Sequence, residues 1–394
     1  MTRTILPLAL VLAFSPVAQG QIVLPAEVGS TLGATPAAPA PAASSTKRST
    51  YDKVWQAFTE LYVNDSNPVV QKVLFSGRFQ HEFAAVDADQ GDHHEWNTRR
   101  MRLGPRVTLF RTWTLHSEVE LNPQEAKPLY VRFTDFYLQW SKSGRLAVTL
   151  GKQGVPFTMD GATSSRELLA IDRSNLTNNL WFPYEYIPGL SVSGRRVPWV
   201  YRAGVYSSGA ATREFGEFNG GAFALGVLGY DFAKSLGVKE ALLAGNYVYQ
   251  HPHARNTFTQ RFEHVLSATV KLEAGRWGVR TDVSAGAGYL PQGDLWGVTA
   301  MPFVNLTDKL QFVGRYTRLD SDDSNGVRPG LYENRVVPGR GDLYEELYLG
   351  ANYFFYGHKL KLQSGAQFAD MTDRANDGGA YSGLSWTTGL RVGW

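Results

Sequence analysis

Arginine residues cluster in two short stretches of the sequence, at 99–106 and 166–173. Guanidinium groups present several N–H donors in a planar fork, and this geometry matches the oxygen atoms of an oxyanion. If the fold brings the two stretches to opposite sides of a narrow passage, their side chains can bind a small anion through charge-assisted hydrogen bonds. Anion binding is therefore the first chemistry that these residue types indicate.

Residues for covalent or metal chemistry are scarce or poorly spaced. The 394 residues include no Cys, which removes disulfides, thiolate metal sites and cysteine nucleophiles together. No Gly-x-Ser-x-Gly motif occurs, so a hydrolase would need its groups to meet at a rim or in an outer loop. His93, His94, His251 and His253 are predicted to lie in loops, where histidines are usually only solvated. We expect no enzymatic activity, no metal and no cofactor.

The elements that must position the arginines are predicted to be strands. From about residue 70 onward, apolar and polar residues alternate; in segment 264–274, Leu266, Ala268 and Val270 alternate with polar neighbours. Such a strand can face lipid on one side and water on the other, and its period does not fit a helix. The last segment keeps this pattern and ends on Trp394, an aromatic end that is typical of outer-membrane barrels. The pattern predicts an all-β membrane protein.

Sixteen such segments can be counted between residues 73 and 394. Their connections alternate between short turns and longer loops, which predicts short periplasmic turns and long outer loops. The sheet must close, because an open edge in hydrocarbon would leave backbone groups unpaired. The predicted fold is a sixteen-stranded antiparallel transmembrane β-barrel over residues 70–394, with a water-filled interior.

The third long connection, residues 154–186, is too long for an ordinary loop. We predict that this third loop folds into the lumen and narrows the passage; an extracellular lid is the alternative. Its apolar residues would stabilise the protein only if they were buried: Leu168, Leu169, Ile171 and Leu180.

The sequence before the barrel divides into three parts. Residues 1–20 contain a short apolar run followed by small residues before Gln21, which is typical of a cleavable signal peptide. Residues 21–50 are rich in Ala and Pro and are predicted to be a periplasmic spacer. Residues 51–69 are predicted to be a short periplasmic lead-in, either with one helix or loosely ordered. Export of this kind implies a location in a Gram-negative outer membrane, in contact with its lipid.

Five segments of the chain resemble the phosphate-selective porin family, the porin O and porin P type. The resemblance covers about residues 70–394. It implies a homotrimer of sixteen-stranded barrels, each with a central constriction where cationic side chains and the third loop bind phosphate. The segments are TRRMRLGPRVTLF at 98–110, VRFTDFYLQW at 131–140, LAVTLGKQGVPF at 146–157, TSSRELLAIDRS at 163–174 and LQFVGRYTRLD at 310–320.

The resemblance also implies a set of phosphate-binding residues. At one of them the family typically has Lys where this chain has Arg166, which exchanges a compact ammonium for a planar fork. The positions that match the family's binding residues are Arg99, Arg100, Asp135, Ser165, Arg166 and Arg173. A basic ladder along the family's wall is matched in part, at lumen-facing positions Arg78, Arg102, Arg106, Arg280 and Arg315.

Two of these assignments make demands on the structure. Arg99 and Arg100 would face opposite sides of a regular strand, and an arginine at the lipid midplane costs roughly 2 to 4 kcal/mol. One of them therefore needs a bulge, a rim position or a subunit interface. Asp135 could orient an arginine, or it could accept the proton that hydrogen phosphate carries and chloride lacks.

Three classes of function remain open from the sequence. The first is an anion-selective channel that prefers phosphate or polyphosphate, with a general or differently selective porin as its alternative. The others are a barrel-embedded hydrolase and a structural or adhesive barrel. The lumenal arginines could also merely balance nearby acids, namely Glu118, Glu120, Asp135 and Asp282. The formal net charge of +3 gives no indication of a nucleic-acid partner.

Overall fold

The computed structural model describes most of the chain from residue 50 to residue 394. The predicted signal peptide and the predicted spacer up to residue 49 lie outside the described residues. For residues 217–220 the backbone alone is described. The described ranges are 50–125, 127–181, 185–209, 214–256, 259–289 and 291–394.

The described residues form seventeen strands, three short α-helices and one 3-10 turn at Glu333–Arg335. None of these helices is long and apolar enough to cross a membrane. The helices are α1 Thr50–Thr59, α2 Asn175–Leu180 and α3 Ala233–Leu236. The strands are β1 Glu60–Val63, β2 Val70–Ala88, β3 Gly91–Leu109, β4 Trp113–Leu121, β5 Tyr130–Ser143, β6 Leu146–Gly154, β7 Tyr186–Arg196, β8 Trp199–Gly209, β9 Glu217–Asp231, β10 Glu240–Gln250, β11 Phe262–Ala274, β12 Trp277–Gly288, β13 Leu295–Asn305, β14 Leu310–Ser321, β15 Leu343–Tyr356, β16 Leu360–Thr372 and β17 Tyr381–Gly393.

Strands β2 to β17 close into a barrel. Each strand pairs antiparallel with the next, and β17 pairs with β2 from Gly383 opposite Ala88 to Gly393 opposite Arg78. Apolar side chains such as Leu266 and Trp386 are exposed on the outer face, while their neighbours along each strand point inward. The predicted sixteen-stranded antiparallel barrel is confirmed, because the period of two places one apolar face toward lipid.

The first hairpin differs from the prediction. Strands β2 and β3 are each 19 residues long and are joined by two residues only, 89 and 90. His93 and His94 therefore lie in β3 and not in a loop, whereas His251 and His253 do lie in one. The prediction placed His93 and His94 in a loop because polar residues interrupt the apolar alternation in this part of the sequence. Ala84 and Val86, on the inward face of β2, are buried at this end.

The seam of the barrel is completed by the short strand β1. Because β17 ends opposite Arg78, the first residues of β2 extend beyond it, and β1 pairs there instead, with Glu60 opposite Leu74. The backbone of Trp394 exchanges two hydrogen bonds of 3.0 Å with Gly77. A Cβ atom on Gly77 would lie 2.4 Å from the indole of Trp394, so a glycine is needed for this close approach.

Helix α1 packs over this seam, in the segment where the sequence left a helix open. The indole N–H of Trp55 donates to the Gly393 carbonyl at 2.7 Å. The ring of Phe58 lies 5.8 Å from that of Trp394 and 5.6 Å from that of Phe75, both edge to face. Aromatic contacts of this geometry add to the apolar area that they bury. The helix therefore joins the start of the described chain to its last strand.

Replacing Phe58 with Ala should weaken the seam, because it removes both ring contacts. We expect the variant to lose about 1 to 3 kcal/mol of stability. The loss would appear as a lower temperature at which the folded, fast-migrating form disappears on a semi-native gel. Val54→Ala is the matched control, since Val54 is 57% exposed on the same helix. Equal melting temperatures for the two variants would contradict this account of the seam.

Candidate functional site

The third loop, described over residues 155–181 and at residue 185, crosses the lumen and is bound on its far side. The Leu168 carbonyl accepts from Lys361 Nζ at 2.8 Å, and the Leu169 carbonyl accepts from Asn352 Nδ2 at 2.8 Å. On another part of the wall, the Met159 N–H donates to Asp282. These partners lie on β12, β15 and β16, opposite the strands that the loop connects. The predicted lumenal position is confirmed, and the alternative of an extracellular lid is wrong.

Apolar packing explains why this loop is drawn inward. Leu169 and Ile171 are 5% and 4% exposed, and they pack with Met301, Phe303 and Val313 on the inner wall. Side chains of this size favour burial by roughly 1.5 to 3 kcal/mol each. The inner wall is apolar there, so the loop and the wall bury one another.

Four of the arginines form an ion-pair cluster with carboxylates where the third loop meets β3 and β4. Its ion pairs join Arg99 to Asp172 at 3.3 Å, Arg100 to Glu185 at 3.4 Å, Arg173 to Glu185 at 3.1 Å and Arg102 to Glu120 at 2.9 Å. Burial alone would raise the pKa of Asp172 and of Glu185, but the charge of Arg99 on the first and of Arg173 on the second holds each pKa below its ordinary range. Every arginine in this cluster is therefore paired with an acid.

A β-bulge places the adjacent arginines of β3 on the same face. Thr98 pairs with His81 and Arg100 pairs with the next residue, Gln80, so that Arg99 has no partner position on β2. The extra residue lets Arg99 turn inward beside Arg100, and neither faces lipid. The sequence left open a bulge, a rim position or a subunit interface as the way to keep both arginines out of lipid. The structure contains the bulge.

A second group of residues, the basic pocket, lies between β2 to β5 and the third loop. Arg78 donates to the Ser165 hydroxyl at 2.8 Å and pairs with Glu118 at 3.3 Å. Arg166, next to Ser165, donates to the Gly77 carbonyl at 2.8 Å. On the wall, Arg106 donates to the Tyr137 hydroxyl at 3.0 Å. The basic pocket is made of Arg78, Arg106, Glu118, Asp135, Ser165 and Arg166.

Three buried donors in the basic pocket have no partner. The Nε–H groups of Arg78, Arg106 and Arg166 make no hydrogen bond within the part of the chain that the structure describes. Burial and the neighbouring charge of Arg78 lower the pKa of Arg166 to about 10, because its positive charge is only partly compensated. Unsatisfied buried donors are costly, so this arrangement suits a ligand that brings acceptor oxygens.

Asp135 faces the lumen directly opposite Glu118 in the pairing of β4 with β5. A bulge follows, and it turns Thr134 inward as well, where its hydroxyl donates to Glu118 Oε1 at 3.1 Å. No hydrogen bond or ion pair is present between Asp135 and any described residue. Asp135 therefore does not orient an arginine by direct contact.

The remaining ladder arginines lie on the lumenal face but away from the basic pocket. Arg315 pairs with Glu346 at 2.7 Å and donates to the Asp172 carbonyl at 2.7 Å, which ties the third loop to β14. Arg280 pairs with Glu240 at 3.4 Å. Of the acids that could balance arginines, Glu118 and Glu120 do so. Asp282 does not, because it accepts from two serine hydroxyls and the Met159 N–H.

A second loop, residues 322–342, also folds inward, and it was not predicted from the sequence. Val327, Tyr332 and Val337 are buried, and the Tyr332 hydroxyl donates to Glu82 on β2. The Arg328 N–H donates to Asn179 of helix α2 at 2.9 Å, so the two inward loops touch. The same signal that identified the third loop, apolar residues in a long connection, was available here.

Glu333 anchors this second loop in the wall. It accepts hydrogen bonds from the Gly330 N–H, from the Tyr344 hydroxyl at 2.9 Å and from Gln367 at 2.7 Å. Burial, and next the charge of Glu346, raises the pKa of Glu333 to about 7. The protonated form is therefore the one that favours the docked loop.

Solved structures of outer-membrane channels share this fold. An anion-selective porin from Comamonas acidovorans superposes with a TM-score of 0.57 at 14% identity, covering 82% of this chain and 99% of that chain. The channel DcaP of Acinetobacter baumannii gives 0.55 at 11% identity, covering 85% and 100%. A trimer form of OmpT from Vibrio cholerae gives 0.51 at 14% identity, covering 82% and 99%. The fold class is that of the outer-membrane porins.

Part of the sequence also matches a known protein family. The family described as phosphate-selective porin O and P matches residues 73–229, which span β2 to most of β9. The resemblance inferred from the motifs is confirmed over these residues. No curated protein matches the sequence significantly. Together, the family match over residues 73–229 and the shared fold point to an outer-membrane porin of the Gram-negative type.

The pKa of Glu333 predicts that the second inward loop loosens as pH rises. In the docked loop this pKa is about 7, above the ordinary value of 4.5, so the contribution of the protonated acid is complete at low pH. It is lost as pH rises through 7. Hydrogen exchange of residues 327–337 should therefore be faster at pH 8 than at pH 5, beyond the intrinsic effect of pH.

Two variants test the assignment of this effect to Glu333. Glu333→Gln should abolish the extra pH dependence, because an amide does not ionise. Glu345→Gln, on the outward face of the same wall, should leave it unchanged. An identical pH response in the wild type and in Glu333→Gln would show that another group controls the loop.

Proposed function

We propose that this porin is an anion-selective diffusion channel that prefers phosphate or polyphosphate. The observation that carries the proposal is the basic pocket, where Arg78, Arg106 and Arg166 each keep an unpartnered Nε–H among the described residues. The first two arginines come from the wall and the third from the inward loop. Phosphate offers acceptor oxygens in several directions, which a pocket with donors on two sides can satisfy.

The surroundings of the pocket strengthen its hold on an anion. The channel is narrowed there by the third loop, and a partly dehydrated passage strengthens each charge-assisted hydrogen bond. The Ser165 hydroxyl is in contact with Arg78 and can turn toward a ligand as a neutral donor. Anions would enter the pocket by exchanging hydration water for these donors, and they would leave toward the wider lumen.

The ion-pair cluster has a different proposed role. Its arginines at 99, 100 and 173 already neutralise Asp172 and Glu185, so their first effect is to hold the third loop in place. They were expected to bind phosphate themselves. We propose that they position the loop that carries Ser165 and Arg166, and that they contribute positive potential to a passing anion only in part.

A general or differently selective porin is the second candidate, and one observation favours it. The lumenal carboxylates Glu118, Glu120 and Glu185 compensate several arginines, which reduces the net positive charge of the constriction. Such pairing would give weak anion preference without a saturable site. The anion selectivity of the Comamonas acidovorans porin supports the first candidate by fold likeness alone.

The assembly and targeting belong to the same proposal. We propose a homotrimer, which the trimer form of OmpT supports by fold likeness. We also propose that residues 1–20 are removed on export and that residues 21–50 form a spacer in the periplasm. The outer face of the barrel would contact lipid wherever neighbouring subunits do not cover it.

The test is electrical and uses the purified full-length channel in a planar lipid bilayer. The reversal potential in a KCl gradient gives the charge selectivity, and a titration with phosphate at constant KCl gives the block of chloride current. Anion preference with saturable block supports the phosphate channel. Weak selectivity without block would move the assignment to the general porin.

Single variants locate the site. Arg166→Gln and Arg106→Gln should each raise the phosphate concentration for half block roughly 10- to 100-fold, because each removes a charge-assisted hydrogen bond of about 1.5 to 3 kcal/mol. Arg318→Gln is the matched control, since Arg318 pairs with Glu345 away from the lumenal site. A control that weakens block as much as Arg166→Gln would place the effect in overall charge and not in the pocket.

A further inference from the structure

Helix α1 has its polar and apolar sides reversed relative to a helix that packs on a protein in water. Val54 and Phe58 are 57% and 54% exposed, and Leu61, which follows the helix at the same spacing, is 61% exposed. Asp52 and Thr59, on the opposite side, are half-buried. An amphipathic helix in water buries its apolar side instead. We propose that α1 is a membrane-interface anchor whose apolar side lies among the phospholipids of the periplasmic leaflet.

The contacts of α1 place it against the outer face of the wall and not in the lumen. In β17 the outward side chains occupy every second position, from Leu384 through Trp386 and Leu390, and Trp394 continues this series. The ring of Phe58 packs edge to face on the indole of Trp394. The side of α1 that is turned away from the wall therefore faces the surroundings of the barrel. For a barrel of this class the surroundings are lipid.

The level of α1 along the barrel is that of a strand end. The Trp55 indole N–H donates to the carbonyl of Gly393, the last residue of β17, and Tyr356 is the last residue of β15. The Tyr356 ring lies 5.4 Å from that of Tyr51 and 5.3 Å from that of Trp55. This end of the barrel is opposite the long loops and is therefore periplasmic. Clustered Trp and Tyr rings at strand ends are typical of the aromatic girdle at the membrane–water interface.

Polar side chains of α1 have hydrogen-bond partners within the protein, as a position at the edge of the hydrocarbon requires. The Thr59 hydroxyl donates to a backbone carbonyl one turn earlier at 2.8 Å, and Gln56 Nε2 donates to Glu60 at 2.6 Å. Asp52 accepts a hydrogen bond from the Tyr356 hydroxyl. A polar group that is shielded from water without such a partner is costly. These side chains therefore do not depend on water for their hydrogen bonds.

Two lysines beside the aromatic rings fit the phosphate groups of lipid headgroups. Lys53 is exposed on α1 next to Val54, and the exposed Lys359 has its Nζ 5.1 Å from the centre of the Tyr356 ring. At an interface a lysine covers apolar surface with its methylene groups and keeps its ammonium group among the headgroups. A helix in this position inserts its apolar side roughly 5 to 10 Å into the boundary between headgroups and acyl chains. The combination of apolar side chains and cations therefore favours a phospholipid surface as the partner of α1.

The experiment measures whether α1 contacts lipid or water. The sequence contains no Cys, so a single Cys carries one nitrobenzoxadiazole label. Val54→Cys is labelled in the full-length porin and placed in vesicles of three parts phosphatidylethanolamine to one part phosphatidylglycerol. A nitroxide on the acyl chains quenches a label in lipid, and iodide quenches a label in water. Leu266→Cys, 59% exposed on the outer face of β11, is the lipid control. Asp308→Cys, exposed in the turn between β13 and β14, is the water control.

We expect nitroxide lipid to quench the label at position 54 at least about half as strongly as the label at position 266. Iodide should quench it several-fold less than the label at position 308. Strong quenching by iodide without quenching by lipid would show that α1 stands in the periplasm and would overturn the proposal. Protection from both quenchers would overturn it as well, because a second copy of the chain would then cover the helix.

Two further points keep this test decisive. Leu61→Cys reports on the same side of the helix if Val54→Cys does not fold, and the gel assay of the folded form verifies each labelled variant. The inference goes beyond the proposed function and does not depend on the anion that the channel prefers. Absence of phosphate block would therefore leave it standing, and water contact of α1 would leave the anion channel standing.

Discussion

Closure of the backbone hydrogen-bond network is the constraint on which this structure depends. In hydrocarbon an open strand edge would leave a row of unpaired N–H and C=O groups, each costing several kcal/mol. Sixteen strands meet this demand by closing on themselves, and β1 completes the pairing of β2 where β17 ends. Once the wall is closed, polar side chains at the depth of the hydrocarbon are favoured on the inner face. The arginines and acids of the candidate site therefore lie in the lumen.

Within the lumen, local irregularities decide which polar groups meet. Bulges in β3 and β5 bring Arg99 and Thr134 to the inner face, beside Arg100 and Asp135, which already point inward. The third loop then divides the arginines into two groups. Those of the ion-pair cluster are each paired with Asp172, Glu185 or Glu120. Unpartnered Nε–H groups among the described residues occur in both groups, at Arg100 in the cluster and at Arg78, Arg106 and Arg166 in the basic pocket. Arginine thus anchors the third loop in the ion-pair cluster and is proposed to bind an anion in the basic pocket.

The sequence predicted the barrel wall well, because successive residues of a membrane-spanning strand face lipid and lumen in turn. Apolar and polar residues therefore alternate along each strand. The alternation of Leu266, Ala268 and Val270 correctly indicated strand β11, and Leu169 and Ile171 correctly indicated the inward loop. The ion-pair partners of the arginines could not be predicted from the sequence, because only the path of the third loop brings Arg173 next to Glu185. The second inward loop was missed because Val327 and Tyr332 lie among turn-forming residues.

The seam has a consequence for assembly. Trp55 and Gly393 form a hydrogen bond across 338 positions of sequence, and β1 lies end to end with β17 along the same strand. This joint forms last in any order of folding that starts from local hairpins, because hairpin contacts close short loops and this contact closes nearly the whole ring. A chain that ends before Gly393 lacks one half of this contact, so the ring can be completed in this way only once the last strand is in place.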